Sequence, residues 1–264
     1  MNTKFAVVTG ASSGIGFELA KLFAEDHYDL LICSQSDQIQ AAKRKLEEFA
    51  TGTIAAVQAD LATSEGVEEL FANIRAANKP LNAIAINAGI GVGGDFIRQT
   101  DLEKELRLID LNVRSTVHLA KLAGKMMVEQ GFGKILFTSS IAADLVGSFE
   151  AVYNASKAFV QSFALAIREE LRDTGVTVTA LQPGPTETNF FHRAGMDDTK
   201  VGTDPKDTAA EVAKQGYEAM LAGKDHVVAG SFKNKVFSAM GKILPQTATA
   251  KIHRGMSEPG TGKH

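Results

Sequence analysis

The sequence predicts a three-layer α/β/α fold in which helices cover both faces of a doubly wound parallel sheet. Apolar runs of strand length alternate with segments of helical period along most of the chain. The strand runs are nearly continuous Val, Ile, Leu and Ala, which is typical of strands covered on both faces. No internal repeat or linker divides the 264 residues, so a single domain is predicted.

Each element follows from one of these runs. The predicted strands are residues 5–9, 29–33, 53–58, 83–87, 134–139, 176–182 and 226–229. The predicted helices are residues 15–26, 38–49, 64–77, 101–129 and 151–173. A further apolar stretch, FSAMGKILP, is interpreted as a helix of the core, although it could instead add an interface or cover a pocket.

Composition and charge argue against several classes of protein. A net charge of −3 does not suggest a nucleic-acid surface. No apolar run reaches the ~18 residues of a membrane-spanning helix, and no signal peptide is evident, so a cytoplasmic protein is expected, with peripheral membrane association through the C-terminal region as the alternative. The six histidines do not show metal-ligand spacing, and no metal site is predicted. The single cysteine, Cys33, lies in a predicted strand and is expected to be an inert core residue.

A glycine-rich turn, TGASSGIG, joins the first predicted strand to the first helix. Gly10, Gly14 and Gly16 remove side chains where the backbone would turn tightly and approach a pyrophosphate. The helix N-terminus offers free N–H groups and a partial positive charge to that anion. Such a turn can also serve packing alone, but the strand before it and the helix after it favour dinucleotide binding.

A second motif, YNASK, places Tyr153 and Lys157 four residues apart on one face of a predicted helix. A tyrosine has a pKa of ~10, and a neighbouring ammonium lowers that pKa towards the range of a general acid–base. Ser140, thirteen residues before Tyr153, ends a predicted strand and can donate to an oxygen that becomes negative. Ser139 is its rival for this role.

In this order, the motifs resemble the compact, single-domain branch of the short-chain dehydrogenase/reductase family, whose fold is Rossmann-like. The resemblance covers roughly residues 4–190 and includes Asp60, the NAG run at 87–89, Asn112 and PGPTET from Pro183. It implies an oxidoreductase that transfers hydride between NAD(P)(H) and a carbonyl or secondary alcohol. The positions that it assigns to the cofactor are Gly10, Ser12, Ser13, Gly14, Ile15, Gly16, Ser34, Gln35, Asp60, Leu61, Asn87, Ala88, Gly89, Tyr153, Lys157, Pro183, Gly184, Thr186 and Thr188.

The resemblance also implies a role for each catalytic position. Tyr153 would be the acid/base, Ser140 would steady the substrate oxygen, and Lys157 would lower the tyrosine pKa and hold the nicotinamide ribose. Asn112 would hold a water that links the lysine to solvent, unless it is only a tolerated polar helix residue. Asp60 would hydrogen-bond the adenine amine or, alternatively, cap the helix that follows it.

NADP(H) is predicted in preference to NAD(H). The second strand ends in CSQSD, with Ser34 at the family's acidic position and Gln35 where phosphate users often carry arginine. Without a carboxylate at Ser34 a 2′-phosphate is not repelled, and neutral hydroxyls and amides can donate to it. Ser13 replaces the basic residue that many phosphate users place in the glycine turn, so NAD(H) stays possible.

The stretch from about 189 to 207 is predicted to be a substrate flap, because it lacks a clear period and follows the sixth strand. Just before it, the resemblance places Pro183–Gly184, Thr186 and Thr188 at the nicotinamide, although Thr188 could cap a short helix. Residues 1–254 are therefore assigned to one dinucleotide-binding and catalytic domain, and residues 255–264 to a polar, solvated tail.

The predicted pocket walls, at 91–96, 142–149 and the flap, are mostly apolar and lack an arginine cluster. They favour an uncharged, moderately apolar ketone or aldehyde, and a ketone on an acyl carrier stays open. A non-catalytic, dinucleotide-sensing regulator is the alternative function, but it would not need the whole catalytic set. The family's long helices commonly pair across two-fold axes, so a homodimer or homotetramer is expected.

Overall fold

The computed structural model describes residues 4–262 and is built on a seven-stranded parallel sheet. Its strands are β1 (Phe5–Thr9), β2 (Asp29–Ser34), β3 (Ile54–Gln58), β4 (Leu81–Ile86), β5 (Gly133–Thr138), β6 (Val176–Pro183) and β9 (His226–Ala229). Two short strands, β7 (Thr186–Glu187) and β8 (Asp207–Thr208), pair beside it. The order β3-β2-β1-β4-β5-β6-β9 confirms the predicted doubly wound fold and all seven predicted strands.

The helices lie on both faces of this sheet. They are α1 (Gly14–Glu25), α2 (Ile39–Glu47), α3 (Ser64–Ala76), α4 (Leu102–Ile109), α5 (Ser115–Gln130), α6 (Ala151–Glu170), α7 (Phe190–Arg193), α8 (Lys200–Thr203), α9 (Ala209–Leu221), α10 (Phe232–Ile243) and α11 (Gln246–Ser257). A π-helical turn, Asp110–Arg114, joins α4 to α5, so the helix predicted over 101–129 is one rod with a local bulge. No helix within residues 4–262 has both the length and the apolar character needed to cross a bilayer.

Two apolar layers cover the sheet, one on each face. Along β5, Ile135 and Phe137 point into the layer beneath α3, α5 and α6, whereas Leu136 points into the layer beneath α1 and α9. Cys33 in β2 is completely buried, and burial raises its pKa to about 12, as expected for an inert core thiol.

The chain reverses its direction of winding at β1, which pairs with β2 on one side and β4 on the other. In open parallel sheets a crevice forms outside the carboxyl ends of the strands at such a switch point. Asn87, just past β4, secures this edge: its Nδ2 donates to the Thr9 carbonyl (3.1 Å), and the Thr138 hydroxyl donates to its Oδ1 (2.9 Å). The ends of three strands are thereby held together.

The C-terminal region differs from the sequence-based expectation. The predicted tail begins inside α11, whose Ser257 is buried, and the Gly262 N–H donates to the Asp198 carbonyl of the flap (2.7 Å). The flap itself forms α7 and α8, because Met196 and Met256 bury apolar surface together there. Met256, Gly260, Thr261 and Gly262 therefore contact the flap, so this end of the chain is not a free solvated tail. Residues 1–3 and 263–264 lie outside the described residues.

Candidate active site

A cleft of about 800 Å³ opens at the carboxyl edge of the sheet. Every residue predicted to contact the cofactor lines it, from the glycine turn to Thr188, and so do Ser140, Tyr153 and Lys157. Asn112 instead lies behind the wall, where its amide is bonded to the backbone of Ile90. Residues distant in sequence thus converge because each follows a strand that ends at this edge.

The glycines of the turn meet two requirements of the backbone, a left-handed conformation and close approach to neighbouring atoms. Gly10 and Gly14 have φ angles of +67° and +59°, a region that side chains disfavour. Gly16 is needed for close approach, because a Cβ there would lie 2.2 Å from the Gly10 carbonyl oxygen and 2.5 Å from Nδ2 of Asn87. The N-terminus of α1 is consequently held against β1 and β4 and faces the cleft, in the geometry that receives an anion.

Neutral polar groups surround the end of β2. The Ser12 and Ser34 hydroxyls are 3.0 Å apart, and the Ser36 N–H donates to the Ser34 hydroxyl (3.3 Å). The Gln35 carbonyl accepts a hydrogen bond from Gln58 Nε2 (3.1 Å), and the exposed Gln35 side chain, which lines the cleft, donates to the Asp60 carboxylate (3.5 Å). Hydroxyls and amides here can donate to an oxyanion without a fixed positive charge.

Asp60 is paired with an arginine that the sequence reasoning missed. Nη2 of Arg107, in α4, lies 3.0 Å and 2.9 Å from the two carboxylate oxygens of Asp60. The interpretation of Asp60 as the cap of the next helix is wrong, because Thr63 accepts the Gly66 N–H (3.0 Å) and caps α3. Arg107 stands 47 residues beyond Asp60, and no local pattern indicates their contact.

Tyr153, Ser140 and Lys157 meet at the far end of the cleft. The Tyr153 phenol lies beside the Ser140 hydroxyl, which donates to the Pro183 carbonyl (3.4 Å) and accepts the Ala142 N–H (3.1 Å). Lys157 Nζ donates to the Thr138 carbonyl (2.9 Å) and lies 5.8 Å from the centre of the Tyr153 ring. The side chains of one helix face and one strand end therefore converge on a common volume.

The two serines at the end of β5 have different environments. Ser139 is 2% exposed, and its hydroxyl donates to the Lys157 carbonyl inside α6 (2.9 Å). Ser140 is only partly buried, lines the cleft and lies beside Tyr153, with its hydroxyl donating to the Pro183 carbonyl (3.4 Å). Ser139 thus anchors the helix, whereas Ser140 is the serine available to a ligand.

Burial dominates the ionisation of this cluster. It raises the pKa of Tyr153 above the usual 10, Glu150 adds to the rise, and the Ser140 hydrogen bond acts in the opposite direction. Burial also lowers the pKa of Lys157 from 10.5 to about 8. Burial thus shifts the pKa of Tyr153 upwards, opposite to the lowering that the sequence analysis predicts from a neighbouring ammonium.

Asn112 occupies the π-helical turn and is 2% exposed. Its Nδ2 donates to the Ile90 carbonyl (2.9 Å) and the Ser156 hydroxyl (3.1 Å), while its Oδ1 accepts the Ile90 N–H (3.0 Å). A Cβ at Gly89 would lie 3.2 Å from Oδ1 of Asn112 and 3.3 Å from Nζ of Lys157. The amide is therefore a fixed link between the loop after β4 and α6, directly behind the lysine.

The sequence reasoning also missed a buried acidic group beside the tyrosine. Glu150 lines the cleft, and its Oε2 accepts the Ser257 hydroxyl of α11 (2.8 Å) and lies 3.6 Å from Nε2 of His253. Burial raises the pKa of Glu150 to about 7 and lowers that of His253, whose Nδ1 bonds the Ser148 carbonyl (2.9 Å). The partners are 103 and 107 residues away from Glu150, so no local motif indicates the cluster.

The remaining walls of the cleft are partly those predicted. Phe190 of the flap lies over Tyr153, with 5.2 Å between the ring centres. Residues 91–96, predicted as a wall, do not line the cleft. Gly91 instead packs against the Phe190 ring, and a Cβ added at Gly91 would lie 2.5 Å from that ring. The place of residues 91–96 is taken by Phe237 of α10 and Met256 of α11, which were not predicted as pocket residues.

Comparison with known proteins agrees with this arrangement. The sequence model described as short chain dehydrogenase matches residues 4–199. The chain is 29% identical over 217 residues to the NADP-dependent 3-hydroxy acid dehydrogenase YdfG of Salmonella typhimurium, covering 81% of this chain and 86% of that protein. It is 30% identical over 213 residues to an uncharacterized oxidoreductase of Staphylococcus aureus, covering 80% and 90%.

Solved structures show the same fold. A short-chain dehydrogenase from Sphingobium yanoikuyae in complex with NADPH superposes with a TM-score of 0.79 at 27% identity, covering 85% of this chain and 87% of that one. The bulky-bulky ketone specific alcohol dehydrogenase from Comamonas testosteroni shares the fold over 96% of this chain and 99% of that one, with a TM-score of 0.77 and 22% identity. The chain belongs to the short-chain dehydrogenase family.

Proposed function

We propose that this protein is an NADP(H)-dependent oxidoreductase that interconverts a carbonyl compound and a secondary alcohol, with Tyr153 as the acid/base. The observation that carries the proposal is the convergence of Tyr153, Ser140 and Lys157 at one end of a cleft whose other end is lined by the predicted cofactor residues. A non-catalytic sensor would not require this second end.

The residues of the cleft fit a phosphorylated dinucleotide. Gly10, Gly14 and Gly16 carry no side chains where the turn meets the α1 N-terminus, which suits a pyrophosphate. Ser12, Ser34 and Gln35 offer neutral donors where a carboxylate would repel a 2′-phosphate. The relative described as NADP-dependent and the NADPH-bound structure support the same preference. When bound, this cofactor supplies or accepts the hydride.

The chain's own residues account for the proton. Tyr153 Oη gives a proton to the substrate oxygen as that oxygen becomes negative, and Ser140 Oγ donates a hydrogen bond to the same atom. Lys157, with a pKa of about 8, is mostly charged near neutrality and stabilises a phenolate once one forms. Asn112 positions the loop behind the lysine through its two bonds to Ile90.

Two variants separate binding from chemistry. Tyr153→Phe should abolish turnover of a ketone panel while its affinity for NADPH, followed by nicotinamide fluorescence, stays within about threefold, or ~0.7 kcal/mol. Tyr28→Phe is the matched control, because Tyr28 is buried far from the cleft between Lys4 and Phe23. Substantial turnover by Tyr153→Phe would contradict the assignment.

Cofactor preference has its own test. A carboxylate at the end of β2 binds the ribose diol and repels a 2′-phosphate. Ser34→Asp should therefore weaken NADPH binding by at least tenfold, about 1.4 kcal/mol, and strengthen NADH binding. Wild-type protein that binds NADH more tightly than NADPH would contradict the proposal.

The substrate is proposed to be an apolar carbonyl compound, because Leu145, Phe190 and Phe237 line the substrate end. Arg193 of α7 also lines the cleft, and the Salmonella relative is described as acting on 3-hydroxy acids, so a 3-hydroxy acid is the second candidate. Comparing neutral alcohols with 3-hydroxy acids in wild type and Arg193→Ala separates them. A carboxylate-dependent loss on Arg193→Ala would favour the acid.

We also propose a homodimer. Leu102, Leu106 and Ile109 are exposed on one face of α4, and Val117 and Val128 are exposed on α5. An apolar surface of this kind on a helical rod commonly pairs across a two-fold axis. Sedimentation velocity should show a dimer that Leu106→Glu dissociates, whereas a monomeric wild type would contradict the proposal.

A further inference from the structure

Helix α10 is oriented with its apolar face outward. Phe232 and Ile243 are 78% and 83% exposed, and Val236 and Met240 lie between them on the same face. Spacings of four, four and three residues align these side chains in a stripe roughly 17 Å long, at 1.5 Å per residue. A helix that only packed on the domain would turn this face inward.

Polar contacts fix the helix in this orientation. Asn234, on the inner face, donates to the Asp207 carboxylate (2.7 Å) and the Ala229 carbonyl (3.1 Å). Ser238, one turn later, donates to the Asp144 carboxylate (2.6 Å). Both side chains are buried, and turning the helix over would leave these buried polar groups without partners. The outward apolar stripe is therefore a stable property of the fold.

Lysines border the stripe on both sides. At 100° per residue, Lys233 lies on one side of the stripe, and Lys235 and Lys242 lie on the other. Lys242 is half exposed and lies 3.9 Å from the Asp144 carboxylate. The helix contains no Asp or Glu, so its exposed surface combines apolar and positively charged side chains.

This surface is next to the substrate end of the cleft. Phe237, from the side of α10 that faces the protein, lines the cleft. Gly241 packs against the turn after Ser140, where a Cβ would lie 2.5 Å from the Asp144 carbonyl oxygen. One side of α10 is consequently a wall of the cleft, and the other side is the exposed stripe.

We propose that α10 binds the surface of an anionic lipid bilayer, with the apolar stripe in the headgroup–acyl boundary and the lysines at the headgroups. An apolar face bordered by Lys is the pattern of helices that lie in the plane of such an interface. A second copy of the chain fits less well, because pairing two α10 helices would bring lysines together without carboxylates on either helix. The further consequence, that an apolar substrate enters the cleft from the bilayer, rests on the proposed function.

Binding is measured directly, without substrate or turnover. The chain contains no tryptophan, so Phe232→Trp introduces a single reporter whose emission should shift to the blue on vesicles of phosphatidylcholine and phosphatidylserine. Co-sedimentation of wild type with these vesicles should weaken as salt is added, and pure phosphatidylcholine should bind far less. Each of Lys233→Gln and Lys235→Gln should weaken binding by about fivefold.

Controls separate this surface from apolar exposure in general. The double variant F232S/I243S should lose binding, whereas Ile97→Ser, at an isoleucine as exposed as Ile243 but outside α10, should bind like wild type. Wild type that stays in the supernatant with phosphatidylserine vesicles would overturn the proposal. A change in oligomeric state without a change in vesicle binding in the double variant would also overturn it, because that result would identify a second copy of the chain as the partner of the α10 stripe. Tyr153→Phe should bind vesicles like wild type, so failure of the proposed reaction would not affect this test.

Discussion

Replacing the buried Glu150 by glutamine should change how stability depends on pH. The carboxyl is almost completely buried, and its pKa rises from 4.5, usual for a glutamate, to about 7 in the folded protein. Because this pKa is raised, the folded state binds the proton more tightly than the unfolded state. The stabilisation by this group is complete below pH 4.5 and is lost as pH rises through 7.

The magnitude follows from the two pKa values. At 1.36 kcal/mol per pKa unit, ionising this carboxyl in the folded state lowers the free energy of unfolding by about 3 kcal/mol between acid and pH 8. His253 acts in the opposite direction, because its pKa is lowered and its burial opposes protonation as pH falls. Glutamine keeps an acceptor for the Ser257 hydroxyl, so the Glu150→Gln variant removes the titration with little change in packing.

Urea unfolding of wild type and Glu150→Gln across this pH range measures the effect. The difference in free energy of unfolding should shift by about 3 kcal/mol in favour of the variant as pH rises. Glu47→Gln, at an exposed glutamate of α2, should not show this shift. Parallel wild-type and Glu150→Gln curves over the whole range would refute the reasoning.

Three other predictions concern single side chains. Gly16→Ala should lower the free energy of unfolding by more than ~2 kcal/mol, because the added Cβ would clash with the Gly10 backbone. Gly124→Ala, in open space within α5, should instead raise the free energy of unfolding by roughly 1 kcal/mol. Thermal unfolding measures both. Ser140→Ala should lose turnover and, with its bond to the Ala142 N–H, about 1 kcal/mol of stability, whereas Ser139→Ala should lose only stability, also by about 1 kcal/mol. Ketone reduction and urea unfolding are the paired measurements. Arg107→Ala should weaken NADPH and NADH equally, by up to about tenfold, and unequal losses in a fluorescence titration would contradict this.

Local patterns predicted the sheet because each buried parallel strand has a nearly continuous apolar sequence. The glycine turn and the YNASK motif could also be predicted, because their residues are close in sequence and their geometry depends on local backbone structure. Helix α9 is not among the predicted helices, although Val212, Tyr217 and Met220 mark one buried face at helical spacing and small residues, Ala213 and Gly216, lie between them. Small residues are needed there, since Gly216 packs directly on Leu181.

What sequence could not predict is contact between distant segments. The apolar pattern of α10 predicts a helix of the core, but the spacing of apolar residues gives only their angular position on the helix. It does not show whether that face is buried. Partners for Asp60 and Glu150 come from 47 and 107 residues further along the chain, and only the folded topology brings them near. The roles given to these residues stay predictions until the variants are measured.

The single thiol in β2 can report local opening of the sheet at that strand. Cys33 is the only cysteine in the sequence, is fully buried, and keeps its proton at any physiological pH. A thiol reagent can modify it only while β2 is separated from its neighbours. Ser34, the next residue, lines the cleft at the end proposed for the dinucleotide, so a nucleotide bound there should slow the modification according to how strongly it stabilises that edge. Labelling kinetics would thus rank dinucleotides for this protein before any substrate is known.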